Sequence, residues 1–197
     1  MRYLVTGHTG FKGAWLTQML VADGHQVSGL ALDPAEESLY VRARVGELLE
    51  HDLRADIRDA EATAAAVREA SPDVVIHMAA QSLVRESYRD PRTTWETNVN
   101  GTYNVLDAVA GTPGVRALLV ITTDKVYRNT NRATGYCEDE PLGGPDPYSA
   151  SKAAADLLTQ SWIASSGCSV PTAIARAGNV VGGGDVVVGH PATATTH

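Results

Sequence analysis

Short apolar runs alternate along this chain with longer stretches of helix-forming residues. The apolar runs predict six strands, at residues 3–6, 26–32, 51–53, 73–77, 117–122 and 171–176. The stretches between them predict helices at residues 11–23, 36–49, 59–70, 82–110 with an early break at Pro91, and 149–165. Strands that are buried on both faces have unbroken apolar sequences, so this alternation predicts an α/β fold with a doubly wound parallel sheet.

Composition and charge narrow the range of functions. The chain has 197 residues, 44% of them hydrophobic, which is enough for one domain with a buried core. A net charge of −7 disfavours nucleic acid as a partner, and no apolar run is long enough to suggest a membrane helix. Two cysteines and six scattered histidines predict neither a disulfide framework nor a metal site, and they fit a cytoplasmic protein.

A glycine-rich turn follows the first predicted strand and precedes the first predicted helix. Gly7, Gly10 and Gly13 are spaced for a tight turn that lets a pyrophosphate approach the backbone at a helix N-terminus. Thr9 and Phe11, in the same turn, belong to this predicted cofactor site. A purely structural turn is the alternative, but the order of strand, turn and helix favours a dinucleotide.

Carboxylates after the second and third predicted strands extend this site. Asp33 lies 20 residues after Gly13, where an acidic residue accepts hydrogen bonds from the adenosine ribose. No arginine follows Asp33 closely to hold a 2′-phosphate, so the sequence favours NAD over NADP. A simple turn at Asp33 is the alternative. Asp56 and Ile57 are predicted to hold and cover the adenine.

Tyr148 and Lys152 are four residues apart and therefore lie on one face of a predicted helix. A phenol is a poor base at neutral pH, but a nearby ammonium group and a positively charged nicotinamide would favour the phenolate. Tyr148 could then take a proton from a sugar hydroxyl. This spacing is common on solvated helices, but here it follows a strand that ends with Thr122 and Thr123, where ligands bind in open α/β sheets.

Several segments together resemble the extended short-chain dehydrogenase/reductase superfamily of NAD-dependent epimerases and dehydratases, which has a Rossmann fold. Within it, His8, Lys12 and the segment ALDP are most similar to the CDP-glucose 4,6-dehydratases. The resemblance runs from residue 2 to residue 185. It is carried by the segments TGHTGFKG, HMAAQSLVR, TNVNGT, TTDKVY, DPYSASK and ARAGNVVGGGD.

The resemblance implies roles for five catalytic residues in a 4,6-dehydration through transient reduction of NAD. Tyr148 would be the base at the sugar C-4 hydroxyl, Lys152 would orient the nicotinamide ribose, and Thr123 would bond the C-4 oxygen. Asp124 would protonate the departing C-6 hydroxyl. Lys125, where many relatives have glutamate, would be the base at C-5, which requires a neutral amine and hence burial or cationic neighbours. A contact with substrate phosphate or a structural contact is the alternative for Lys125. Asp124 and Lys125 can both reach one sugar only if the backbone turns there.

Other positions follow from the resemblance, each with a helix cap or a surface position as the alternative. Ala79 and Ala80 resemble small residues that lie against the cofactor. Asn98 resembles the asparagine that shapes the active-site helix, and it is placed with the substrate contacts. The other expected substrate contacts are Ser82, Arg85 and Asn179.

The C-terminal tail departs from the family pattern. We expect an NAD-binding domain at residues 1–181 and an aberrant tail at 182–197 in place of a substrate domain, so that the chain binds NAD but has little dehydratase activity alone. A homodimer through residues 82–110 and 149–165 is also implied by the resemblance. The alternatives are a nucleotide-sugar epimerase, a 5-inverting UDP-N-acetylglucosamine dehydratase, a non-catalytic NAD-binding scaffold, and a remnant without function.

Overall fold

A computed structural model describes residues 1–185, so the predicted tail at 186–197 lies outside the described residues. The described chain forms one parallel sheet of six strands in the order β3-β2-β1-β4-β5-β6. This order and the parallel pairing of every neighbour confirm the doubly wound sheet. The strands are β1 (Arg2–Thr6), β2 (Gln26–Ala31), β3 (Asp52–Arg54), β4 (Val74–His77), β5 (Ala117–Thr123) and β6 (Thr172–Ala177).

The helices lie between the strands, as the apolar pattern predicted. They are α1 (Phe11–Ala22), α2 (Leu39–Arg42), α3 (Ala60–Ala70), α4 (Val84–Arg89), α5 (Pro91–Trp95), α6 (Gly101–Ala110) and α7 (Pro147–Ser165). Side chains set several boundaries: Asp59 caps α3, and Asp146, followed by Pro147, caps α7. The central core joins β1, β2, β4 and β5 to α3 and α6, with Leu4, Leu30 and Leu106 almost fully buried.

The prediction of a single helix at residues 36–49 is wrong. Two short pieces stand there instead, α2 and a 3-10 turn at Val45–Leu48, because Arg44 between them adopts a left-handed conformation with φ of 53°. This break lets Tyr40 lie over Gly46, where an added Cβ would be 2.5 Å from the phenol oxygen. The hydroxyl of Tyr40 thereby reaches Asp52 at the start of β3.

The long helical region predicted at residues 82–110 breaks at Pro91, as expected, and has a second irregularity. A π-helical turn at Glu96–Asn100 precedes α6. Such single turns often occur at functional sites. Here the turn brings Asn98 inward and places Gly101 against Ile57, where a Cβ would be 2.6 Å from the isoleucine side chain.

No group of three or more histidine, cysteine or acidic side chains within residues 1–185 is arranged to hold a metal ion. No helix in the same part of the chain is both long and apolar enough to cross a membrane.

Candidate active site

A cleft of about 770 Å³ runs along the carboxyl edge of the sheet, where the strand order changes direction between β1 and β4. Ligands bind at this position in open α/β sheets. Most of the predicted site residues line the cleft: Gly7, Thr9, Gly10, Phe11, Gly13, Asp56, Ile57, Ala79, Ala80, Ser82, Thr123, Lys125, Tyr148, Lys152 and Asn179.

Four predicted site residues do not line this cleft: Asp33 and Asp124, which are next in the chain to lining residues, and the substrate contacts Arg85 and Asn98. Arg85 lies on the exposed side of α4 and is not among the lining residues. Asn98 is fully buried. Its side-chain oxygen accepts the backbone N–H of Gln81 at 2.8 Å. Its side-chain nitrogen donates to the Gln81 carbonyl at 3.0 Å and to the Ser151 hydroxyl at 2.9 Å. With no exposed atom, Asn98 positions the loop after β4 against α7, and its placement as a substrate contact is wrong.

The glycine turn has the shape that a pyrophosphate requires. Gly7 has a φ of +76°, and a Cβ there would be 2.8 Å from the backbone nitrogen of Ala79. A Cβ on Gly13 would be 2.2 Å from the carbonyl oxygen of Gly7. Gly10 differs, because its Cβ would meet only that carbonyl oxygen, at 3.3 Å, and would otherwise stand in open space. The cradle in front of the α1 N-terminus thus exists because Gly10 has no side chain, and it fits a dinucleotide phosphate.

A buried histidine connects β1, β4 and α6 directly beneath this turn. The hydroxyl of Thr102 donates to the carbonyl of Asn98, so it accepts the Nε2–H of His77 at 3.0 Å. Nδ1 of His77 therefore accepts the hydroxyl proton of Thr6 at 2.7 Å, while the Thr6 oxygen accepts the backbone N–H of Ala79. Complete burial lowers the pKa of His77 to about 3, so the ring is neutral.

Tyr148 and Lys152 occupy successive turns of α7 and face the end of β5. The ammonium group of Lys152 donates to the carbonyl of Ile121 at 2.9 Å. Burial, together with the charge of Lys12, lowers the pKa of Lys152 to about 8. Lys12 also lines the cleft, and burial lowers its own pKa.

The acidity expected for Tyr148 is not found in the protein alone. Burial raises the pKa of the Tyr148 phenol, and the charges of Asp124 and Asp146 raise it further. A hydrogen bond with Thr123 opposes these effects. Lys152 therefore does not create a phenolate by itself, and further positive charge in the cleft is needed for that.

The backbone turn required for Asp124 and Lys125 to reach one ligand is present. β5 ends at Thr123, whose hydroxyl caps a 3-10 turn at Asp124–Val126 by accepting the backbone N–H of Lys125 at 3.3 Å. The Lys125 ammonium group donates to Asp124 at 3.3 Å and to the amide oxygen of Asn179 at 3.0 Å. Its side chain is 41% exposed, and these contacts favour the alternative of a contact with substrate phosphate or a structural contact.

A buried ion pair holds α7 against β6 behind this site. Asp156, with no exposed side-chain surface, accepts two hydrogen bonds from Arg176, both at 2.9 Å. Thr122 and Gln160 donate to the remaining lone pairs of the carboxylate, at 3.0 and 2.7 Å. The donors come from β5, β6 and α7 itself, so these bonds hold α7 against the two strands. They thereby also position Lys152, one turn earlier on α7, against the end of β5.

Sequence reasoning missed a cation beside Asp33. Arg54 ends β3, and its Nε is 3.7 Å from the Asp33 carboxylate. β3 pairs with β2, with Ala31 opposite Arg54. No arginine follows Asp33 closely in sequence, but the strand order brings one beside it in space. The strand order 3-2-1, which is common at the start of doubly wound sheets, was the signal that could have revealed it.

The model of the NAD dependent epimerase/dehydratase family matches residues 3–196 of the chain. The chain belongs to that family. The chain is 45% identical over 192 residues to a CDP-glucose 4,6-dehydratase from Salmonella typhimurium, covering 93% of this chain and 53% of the relative. It is 36% identical to a dTDP-glucose 4,6-dehydratase from Mycolicibacterium smegmatis, covering 85% of this chain and 50% of that protein.

Solved structures agree with this membership. A UDP-glucose 4-epimerase from Thermus thermophilus in complex with NAD superimposes with a TM-score of 0.78 at 31% identity, covering 89% of this chain and 54% of the other. A dTDP-glucose 4,6-dehydratase from Streptomyces venezuelae with NAD bound gives a TM-score of 0.73 at 31% identity, covering 88% and 55%. The chain spans about half the length of the curated relatives it matches. The expectation of an NAD-dependent family with a Rossmann-like sheet is confirmed.

Proposed function

We propose that this chain is the NAD-binding, sugar-oxidising part of a nucleotide-sugar 4,6-dehydratase whose substrate is CDP-glucose. The observation that carries this proposal is the meeting of Thr123, Tyr148 and Lys152 in one cleft with a glycine turn shaped for a pyrophosphate. The likeness to the Salmonella dehydratase supports the choice of reaction and of nucleotide.

In this proposal the glycine turn and the N-terminus of α1 bind the pyrophosphate, while Asp56 and Ile57 lie at the adenine end of the cleft. Ala79 and Ala80 leave room for the dinucleotide along the end of β4, and Asp33 accepts the ribose hydroxyls. NAD, when bound, would supply a hydride acceptor for C-4, a positive charge and, once reduced, the hydride that returns to C-6 after the dehydration, so that the reaction has no net change of oxidation state.

The tyrosine, the lysine and the threonine then act on the C-4 hydroxyl of the sugar. Thr123 bonds its oxygen, and Tyr148 removes its proton as the general base. The phenol is buried and its pKa is raised in the protein alone, so it becomes a base only when positive charge accumulates beside it. The Lys152 ammonium group is fixed by Ile121 and supplies part of that charge.

Asp124 and Lys125 serve the later dehydration. Oxidation at C-4 makes the C-5 proton acidic, and loss of that proton expels the C-6 hydroxyl. Asp124 protonates the leaving hydroxyl, and Lys125, bonded to Asp124 and Asn179, faces the same end of the cleft. As a cationic donor, Lys125 binds the substrate phosphate. As a neutral base, it removes the C-5 proton. Replacement by methionine separates these roles, because only loss of the base stops exchange of the C-5 hydrogen with deuterated solvent.

Two preparations test the proposal. In the first, the chain itself is titrated with NAD⁺ by calorimetry and then incubated with CDP-glucose. NAD⁺ binding with little turnover is expected. Contacts between a protein and the parts of a substrate that are remote from the reacting carbon normally help to position that carbon. In the second, residues 1–185 are joined to the C-terminal half of the Salmonella enzyme, and the 4-keto-6-deoxy product is measured.

The fusion should form product, and the matched Tyr148→Phe fusion should lose activity by several orders of magnitude while still binding NAD⁺. Equal activity of the two fusions would contradict the assignment of Tyr148. A fusion that binds NAD⁺ but forms no product would favour a non-catalytic NAD-binding role for the chain itself.

An epimerase is the second candidate, and the likeness to the Thermus 4-epimerase favours it. The products distinguish the two, since an epimerase returns a hexose with its C-6 hydroxyl, whereas a dehydratase returns a 4-keto-6-deoxy sugar. A 5-inverting dehydratase would give the opposite configuration at C-5 and would accept UDP-N-acetylglucosamine.

We also place a homodimer and a cytoplasmic location within this proposal. α5, α6 and α7 expose the large side chains of Trp95, Tyr103 and Leu157, each more than 40% exposed, which suits a helix-to-helix interface. Cys137 and Cys168 are free thiols, which fits a reducing compartment. Light scattering at increasing protein concentration tests the dimer, and fractionation of the source cells tests the location.

A further inference from the structure

Arg54 comes directly before Ala55, which lines the end of the cleft proposed for the adenosine, and its guanidinium group lies between two carboxylates. Nη2 donates to Asp52 at 2.7 Å and to the hydroxyl of Tyr40 at 3.1 Å. Nη1 donates to the carbonyl of Leu32 at 3.4 Å, and Nε is 3.7 Å from the carboxylate of Asp33. The side chain is 29% exposed, so part of it remains accessible to a ligand.

The surrounding residues hold this cation in place. Asp52 accepts hydrogen bonds from Tyr40 and from Nε2 of His8, the latter at 2.8 Å, while it pairs with Arg54. The His8 ring is fully buried and packs against Gly29, where a Cβ would be 2.3 Å from the ring. Because Asp52 is fixed on both sides, Arg54 keeps its position whether or not Asp33 carries a carboxylate.

Asp33 is held in a different way. Its side chain is 91% exposed, and its contact with Arg54 is long, so it contributes little to stability. A carboxylate at the end of the second strand accepts ribose hydroxyls and repels a 2′-phosphate, whereas an arginine at the same place accommodates that phosphate. This chain has both groups at one site, and the cation is the more firmly held of the two.

We propose that Arg54 is a cofactor-specificity residue that Asp33 shields from phosphate by charge repulsion: with the Asp33 carboxylate present the site selects the free ribose of NAD, and without it Arg54 binds the 2′-phosphate of NADP. The inference rests on the dinucleotide binding proposed above and adds the group that decides between the two dinucleotides. Asp33 and Arg54 act as a pair, so removal of the Asp33 carboxylate shifts the preference towards NADP without any new cation.

Calorimetric titration of three proteins with NAD⁺ and NADP⁺ tests this pair. The wild type should bind NAD⁺ more tightly than NADP⁺. Asp33→Ser should bind NADP⁺ more tightly than the wild type does, by about tenfold or more, the effect of one charge-assisted hydrogen bond. Asp33→Ser combined with Arg54→Gln should lose that gain.

The controls address folding and charge. Circular dichroism and thermal melting establish that each variant is folded, and Asp33→Ser should melt like the wild type because Asp33 is exposed. If the glutamine variant does not fold, Asp33→Ser combined with Arg54→Lys keeps the charge and should keep part of the NADP⁺ gain. In Asp33→Ser the affinity for NADP⁺ should also fall more steeply with added salt than the affinity for NAD⁺.

The outcomes separate the two proposals. A wild type that binds neither dinucleotide overturns the proposed function, and this inference with it. A wild type that binds NAD⁺, combined with equal NADP⁺ affinity in Asp33→Ser and in the double variant, overturns only the role of Arg54. A gain in NADP⁺ affinity that disappears with the arginine supports it.

Discussion

The stability of this protein should fall between pH 7 and pH 5 because of His77. The ring lies beneath the glycine turn, fully buried, and is neutral in the folded protein, with its pKa lowered to about 3. In the unfolded chain the imidazole has an ordinary pKa near 6.5. As the pH falls below 6.5, the unfolded chain binds a proton that the folded protein does not bind, so the equilibrium moves towards unfolding.

The two pKa values determine the size of the effect. With 6.5 in the unfolded chain and about 3 in the folded protein, linkage makes the free energy of unfolding about 2 kcal/mol smaller at pH 5 than at pH 7. Burial also lowers the pKa of His8, so His8 adds to the loss in the same direction. The depressed pKa values of Asp52 and Asp156 act mainly below this window, because carboxylates in unfolded chains titrate near pH 4.

Urea unfolding at pH 7 and at pH 5 measures the difference directly. His77→Asn removes the titrating group, so it should lower stability at pH 7 yet lose about 2 kcal/mol less than the wild type on going to pH 5. Thr102→Ala is the matched control, because it breaks the hydrogen bond at Nε2 but keeps the imidazole, and it should retain most of the pH dependence. If His77→Asn loses as much stability as the wild type between the two pH values, the reasoning is refuted.

Three further predictions follow from the packing. Gly10→Val should abolish NAD⁺ binding in calorimetry with little change in melting temperature, whereas Gly13→Ala should destabilise the fold, since its Cβ would be 2.2 Å from a backbone oxygen. Asp156→Ala leaves the Arg176 guanidinium without its main partner and should lower the free energy of unfolding by about 3–5 kcal/mol in urea titrations; a loss below about 1 kcal/mol would contradict the ion-pair argument. Leu157→Lys should shift any dimer towards monomer in light scattering without affecting the fold, and an unchanged mass would remove α7 from the proposed interface.

Features that depend on neighbours along the chain could be predicted from the sequence. Apolar runs separated by helical stretches indicated the doubly wound sheet, and the spacing of Tyr148 and Lys152 indicated a shared helix face. The break at Pro91 was also found, because proline restricts the backbone locally. The helix predicted at residues 36–49 failed where a left-handed Arg44 interrupts the chain, since tertiary contacts of Tyr40 outweigh a weak local preference.

The sequence by itself determined the order of strands and helices, the glycine turn and the residue types available for proton transfer, because these depend on spacing and on the conformational limits of single residues. Only the tertiary structure decided that Asn98 is fully buried and that Arg54 lies beside Asp33. It also decided that burial and nearby carboxylates raise the pKa of Tyr148 despite the neighbouring lysine. The physical reason is that solvation and charge act through space. Residues far apart in sequence share one electrostatic environment once the sheet brings their strands together.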